Sequence, residues 1–545
     1  MTLNWELVAA DKRARLAKTI PEDWKIRNLP TDDSVIDFPK SSGILSAHEL
    51  EITESPAVQL VSKLAAGQLT SLEVTLSFCK RAALAQQLTN CALEFFPEDA
   101  LAQAKELDEY YNKNKKPIGP LHGLPISLKD QLRVKGHETS MGYVSWLGKY
   151  DTEDSILTQL LRKAGAVFYV KTSVPQTLMV CETVNNIVGR TTNPRNKHWS
   201  CGGSSGGEGA MIGMRGGVIG VGTDIGGSIR IPAAYNFLYG LRPSHGRLPY
   251  GKMANSMEGQ ETVHSVVGPI AHSVDDLRLF VESVLSQEPW MFDSKVIHMP
   301  WRQQEADTIT NKIQSGGLTI GVYNFDGNVL PHPPVLRGID LVKNALTKTG
   351  HKIVPWTPYK HDFAVSLITK IYGADGSKDV QTEINASGEP AIPNIKDLLN
   401  PSIKPASMNE LWATHLEKWT YQMEYLDKWR EVEDAMGGIE LDAIIAPISP
   451  SAAIRHNQFK YYGYASAINL LDFTSVVVPV TFADKRVDGR NEAFVPVSDM
   501  DRLVQEEYEP EAYHGAPVAV QVIGRRLSEE RTLRIAEEVG RVLGN

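Results

Sequence analysis

Apolar positions recur at helical and strand periods along most of the chain, dividing it into alternating elements. Leu60, Val61 and Leu64 share one helical face, and after Gly67 a second helical run covers Leu72 to Leu84 with Ser71 as its N-cap. An Ala- and Leu-rich helix follows from about Pro97 to Asn112. Leu124 to Leu128 is an apolar run of strand length that places Lys129 and Asp130 at its end. Ile156 to Lys163 reads as a helix, stopped at Gly165 and followed by the strand AVFYVK; IDLVKNALTKTGHKIVPW repeats that order, with Gly350 as helix end. Further β-type runs are LTIGVY, LDAIIAP, TSVVVPV and APVAVQVIG. With helices between several of them, they predict an α/β fold: one large α/β/α domain whose central mixed sheet is covered by helices on both faces.

Two segments stand outside this alternation. Residues 1–45 open with a helical stretch of alternating charge, expected to pack on the body of the protein, and continue as a polar, Pro-containing extended arm. No Pro/Gly/Ser linker divides the remainder, so residues 46–545 read as one domain, with a core motif region over 120–250. Between Asn385 and Pro405 several prolines predict a loop. After it, Leu411, Trp412, His415, Leu416, Trp419, Met423, Leu426 and Trp429 fall on one helical face. That stripe reads as core, and this helix or the loop before it is expected to narrow a binding pocket.

Composition removes whole classes of function. A net charge of −9, from 56 Lys+Arg against 65 Asp+Glu, supplies no electrostatic footprint for nucleic acid. Cys79, Cys91, Cys181 and Cys201 have neither metal-ligand nor disulfide-framework spacing, which fits reduced thiols and a cytoplasmic location. No signal-peptide h-region and no apolar run of bilayer length is present, so no membrane span is expected. The oligomeric state is not written in the sequence; a homodimer is the default expectation if the chain is an enzyme.

The chemistry concentrates between Trp199 and Pro232, where two Gly/Ser loops bracket one apolar run. Gly202 to Glu208 has P-loop-like glycine spacing, but Glu208 stands where a phosphate would need Lys. Gly220 and Gly222 begin a dinucleotide pattern that fails at Ile225, and no metal spacing appears among the fourteen histidines, so neither metal nor organic cofactor is implied. GGSSG matches a nucleophile elbow centred on Ser204, but NKHWSC precedes it in place of a buried strand, and the base would have to be a distant residue such as His514. A second reading uses more of the sequence. In GTDIGGSIR, the backbone N–H groups of Ile225, Gly226, Gly227 and Ser228 can converge on an oxyanion beside the Ser228 hydroxyl. A buried Lys whose pKa is depressed by desolvation can act as base, and Lys129 is the candidate, with Ser204 as relay.

GGSSGGEGA, GVGTDIGGSIRIPAAYNFLYGLRPSHGR and the preceding GLPISLKD together resemble the amidase signature family. KTSVPQTL, LDAIIAPISP and GAPVAVQVIGRRLSEERTLRIAEE extend the resemblance from about residue 50 nearly to the C-terminus, and the opening WELVAADKRARLAKTIPEDW is similar to a fungal branch that releases ammonia from acetamide. The resemblance implies Ser228 as acyl-enzyme nucleophile, Ser204 as relay in a cis peptide after Gly203, and Lys129 as base. It also implies Ile225 to Ser228 as oxyanion hole and Ser205, Asp224 and Arg230 as braces of the loop. Leu178 matches a substrate-contacting position often held by Met. The expected partner is a small-molecule amide. Wider substrates of the same triad (aryl amides, indoleacetamide or fatty-acid amides) and a subunit role in aminoacyl-tRNA transamidation are the alternatives.

Overall fold

The computed structural model describes residues 4–544. Eleven strands form one mixed sheet. They are β1 (Ala92–Phe95), β2 (Pro125–Lys129), β3 (Val167–Thr172), β4 (Ile219–Asp224), β5 (Tyr239–Arg242) and β6 (Val266–Ala271). The chain continues with β7 (Thr319–Val322), β8 (Lys352–Pro355), β9 (Ala443–Pro447), β10 (Ser475–Phe482) and β11 (Pro517–Ile523). Their order across the sheet is β1-β3-β2-β4-β6-β5-β10-β11-β9-β7-β8. The edge strand β1 runs antiparallel to β3; β3 with β2 and β2 with β4 are parallel, as are β9 with β7 and β7 with β8 at the other end, and the centre from β4 to β9 is antiparallel.

Strand periodicity sorts the side chains into layers. Ala443 and Ile445 of β9 join the same apolar cluster as Val520 and Val522 of β11, packed against the helices Val274–Leu285, Pro333–Lys348 and Glu529–Leu543. Ile444 and Ala446 point the other way, into a cluster with Tyr464 and Ile468 of the helix Gly463–Leu471. This is the α/β/α layering the hydrophobic pattern predicts. All four cysteines are free and buried. Among the described residues no helix is long and apolar enough to cross a membrane.

Three local expectations need correction. The helix Ser71–Thr89 is capped by Thr70, whose side chain forms a reciprocal capping box with Glu73, so Ser71 is its first residue. The apolar run between the serine loops is two elements, the helix Gly206–Gly213 and strand β4, separated by a turn at residues 214–218. The third concerns the helix Met408–Ala435. Its buried side chains are Thr414, Tyr421, Tyr425 and Trp429, whereas Trp412, Leu416, Trp419 and Met423 face solvent. Helical spacing specifies which residues share a face but not which way that face turns. Here Tyr425 and Trp429 pack on Trp356 and Phe473, holding most of the stripe roughly half a turn away from the core.

Candidate active site

Parallel pairing of β2 with β4 brings their C-terminal ends side by side, the position where open α/β sheets offer a crevice. The last residue of β2 is Lys129, fully buried, and the last two of β4 are Thr223 and Asp224. Lys129 Nζ is hydrogen-bonded to Ser204 Oγ at 2.7 Å and to Thr223 Oγ1 at 2.6 Å. Its immediate neighbours are therefore hydroxyls rather than carboxylates, and burial pulls its pKa down to about 7. Thr223 Oγ1 in turn donates to Gln131 Oε1 at 2.7 Å, and the Gln131 amide is held by Tyr250 and Asn255. With its proton given to Gln131, Thr223 accepts from Lys129, which leaves the lone pair of a neutral amine for the Ser204 hydroxyl.

Ser204 enters this position through the Gly203–Ser204 peptide, which is cis, as the resemblance implies. The loop then turns into the helix Gly206–Gly213, whose first turn lies so close to the sheet that a Cβ on Gly207 would sit 2.4 Å from the backbone of Ser173. Ser205 ties both halves of the motif together. Its N–H donates to Ser228 O at 3.1 Å, and its hydroxyl accepts from Thr223 N at 3.2 Å.

The second loop hangs from Asp224. This buried carboxylate accepts from Gly227 N at 2.8 Å and Ile229 N at 3.2 Å, and from Arg230 Nε at 3.0 Å. Asn469 Nδ2 adds a bond of 2.8 Å, and Arg230 reaches on to Gln521, Asn469 and the carbonyl of Ala465. Burial alone would raise the Asp224 pKa, but Arg230 and Asn469 outweigh it and hold the group ionised. Of the four backbone donors expected at the oxyanion position, Gly227 already gives its N–H to Asp224.

Gly226 opens on a cavity of about 690 Å³, lined among others by Met179, Val180, Tyr372, Ile395 and Leu398. The loop before the Met408–Ala435 helix thus contributes to the wall, and that helix does not. Leu178 packs in an apolar cluster with Met141 and Tyr143, while its neighbours Met179 and Val180 line the cavity. Tyr372 Oη donates to Ile225 O at 2.5 Å and so fixes the start of the loop that follows β4. His514 lies at the surface, 3.9 Å from Asp484, and the polar partner of Ser204 is Lys129; the elbow alternative with a histidine base is not what the fold assembles. One buried acid went unnoticed except as an obstacle to phosphate. Glu208 accepts from Ser127 Oγ at 2.5 Å and Thr172 Oγ1 at 2.9 Å beneath Lys129, and burial raises its pKa to about 8.

A buried lysine bonded to a serine, with a second serine on a glycine loop aimed by an aspartate, is chemistry for acyl transfer without a histidine. The layered mixed sheet, with this cluster at its strand ends, is that of an amide hydrolase. The amidase family profile matches residues 73–533, and the chain belongs to the amidase family. It is 77% identical to the acetamidase of Emericella nidulans, over all of this chain and 99% of the relative. The acetamidase of Aspergillus oryzae is 68% identical over 99% of both chains. Among solved structures, a fatty acid amide hydrolase superimposes with a TM-score of 0.93 at 35% identity, covering 99% of this chain and 95% of the other.

Proposed function

We infer that this chain hydrolyses acetamide to acetate and ammonia in the cytoplasm, through an acyl-enzyme on Ser228. Full-length identity of 77% and 68% to two acetamidases supports the substrate. The 2.7 Å bond between Lys129 Nζ and Ser204 Oγ carries the mechanism.

As Ser228 Oγ attacks the carbonyl carbon, its proton passes to Ser204, whose own proton passes to Lys129. Negative charge developing on the carbonyl oxygen is met by the N–H groups of Ile225, Gly226 and Ser228. Collapse of the tetrahedral intermediate expels nitrogen, which departs as ammonia only if protonated, and the relay run backwards delivers that proton. Water then enters, loses a proton along the same route and attacks the ester carbonyl; collapse expels Ser228 Oγ, which regains that proton from Lys129 through Ser204 as acetate is released. Asp224, Arg230 and Ser205 touch no substrate in this scheme; they hold the two serine loops against each other. No step calls for a metal or an organic cofactor.

The cavity beside Gly226 favours a second reading of the substrate range, because 690 Å³ of largely apolar space greatly exceeds an acetyl group. Longer aliphatic amides are then substrates as well, with Met179 and Val180 against the acyl chain. Ammonia release measured from acetamide through hexanamide to phenylacetamide, on wild type and on Ser228→Ala, Ser204→Ala and Lys129→Ala, tests both. Each alanine variant is expected to lose at least about a thousandfold in kcat while remaining folded. Activity retained in Ser228→Ala would remove the assigned nucleophile. A steep fall in kcat/KM beyond acetamide would confine the chain to the shortest amides.

A further inference from the structure

On the outward face of the helix Met408–Ala435, Met408 is 62% exposed, Trp412 62%, Leu416 57%, Trp419 60% and Met423 44%. Large apolar side chains exposed singly need no explanation, but five in one stripe over four turns do. The charged residues of the same turns are all used elsewhere. Glu410 closes the capping box with Ser407, Glu417 pairs with Lys370, Glu424 with Lys360, and Lys418 donates to the carbonyl of Thr262. The last three bind the helix to its own subunit, and together these contacts leave the outer face uncharged.

The stripe also has a symmetry. Trp412 and Trp419 lie equally far from the point between His415 and Leu416, and Met408 and Met423 do so as well. Reversing the helix maps the pattern onto itself: methionine, tryptophan, the central His–Leu pair, tryptophan, methionine. A two-fold axis through that point would lay Trp412 of one copy against Trp419 of the other and Met408 against Met423, which is the self-complementarity that an isologous interface requires. With the two tryptophans covering about 150–250 Å² each and the two methionines and Leu416 somewhat less, the exposed parts of the five offer on the order of 600 Å² per copy. A pair then buries about 1,200 Å², the lower end of stable protein interfaces.

We propose that this face is a homodimer interface in which the Met408–Ala435 helices of two copies pack antiparallel about the point between His415 and Leu416. Nothing in it depends on the catalytic assignment, since none of the five side chains lines the cavity beside Gly226.

Sedimentation equilibrium of the full chain, with circular dichroism melting to confirm that each variant folds, tests the proposal. Wild type is expected at twice the chain mass at micromolar concentration. Leu416→Glu, which sets two carboxylates together near the axis, is expected to weaken dimerisation at least tenfold, and Trp412→Lys or Trp419→Glu alone to do the same. The double variant Trp412→Lys, Trp419→Glu should regain the dimer, because position 412 meets position 419 of the other copy. All four native cysteines are buried, so introduced ones can be read without background. Trp412→Cys mixed with Trp419→Cys should cross-link as a heterodimer in preference to either homodimer. A wild-type monomer at every concentration, a dimer indifferent to Leu416→Glu, or a monomer that floats with phosphatidylcholine vesicles through this stripe would each overturn the proposal.

Discussion

Lys129 sets the pH dependence of the proposed reaction. Its folded pKa lies near 7 because burial disfavours the ammonium form, and the relay needs the neutral amine. Below about pH 7 the lysine is protonated and the base is lost, so kcat/KM for acetamide should fall about tenfold per pH unit on the acid side and level off above neutrality. A profile on acetamide between pH 5 and 9 measures this; an acid limb centred near pH 4 would assign the base to a carboxyl instead. Tyr372 acts at one remove. Its hydroxyl holds the carbonyl of Ile225 and touches none of the reacting atoms in the proposed scheme. Tyr372→Phe removes a hydrogen bond worth about 1 kcal/mol and should lower kcat about fivefold, with KM nearly unchanged. An equal rise in KM would place the tyrosine in substrate binding rather than in loop positioning.

At the scale of elements, the loop between β4 and the helix Arg230–Tyr235 is the least tolerant piece of the site. Gly227 has φ of +120°, and a Cβ there would sit 2.7 Å from Cβ of Ala465. Gly227→Ala should therefore both strain the backbone and push the loop off the helix Gly463–Leu471, costing about 2–3 kcal/mol of stability and most of the turnover. Thermal melting beside an acetamide assay checks it, and near-wild-type values in both would show that the loop can relax. This element also marks what could be read from sequence. Two Gly/Ser-rich loops, and a lysine ending an apolar run, announced themselves by composition. Strand β4 did not, because half of IGVGTD is glycine or aspartate, and β5 is only four residues long. Thr223, Gln131 and Tyr372 are ordinary polar residues whose roles arise only when distant segments meet. The stripe of the Met408–Ala435 helix was legible as a stripe and misleading as core. Its orientation is decided by Trp356, Phe473 and the ion pairs to Lys360 and Lys370, all remote in sequence.

Over the whole molecule, the N-terminal helix Trp5–Lys18 is linked to the end of strand β2 through buried charge. Lys12, 3% exposed, is hydrogen-bonded to Glu94 and, at 2.7 Å, to Glu138; Arg15 adds a bond of 3.1 Å to Glu138. The carbonyl of Glu138 accepts from Lys171, which faces Asp130 at 3.4 Å, the residue after Lys129. Asp130 is held independently by the N–H groups of Ser140 and Met141. The end of β2 therefore has its own anchor, and the terminal helix stabilises the fold around it without aiming the lysine. Removing one partner of a buried ion pair leaves the other uncompensated, at about 3 kcal/mol. Lys12→Met, which keeps the apolar stem and deletes the charge, should lower the melting temperature by several degrees while kcat at 25 °C stays within about twofold of wild type. Adding Glu138→Gln should restore only part of the lost stability, because it neutralises one of the two acids Lys12 balances while Glu94 stays unpaired with Lys12 and Arg15 loses its partner. A variant that melts normally would show that Arg15 alone satisfies Glu138, and one that loses turnover without losing stability would show that the terminal helix reaches the chemistry after all.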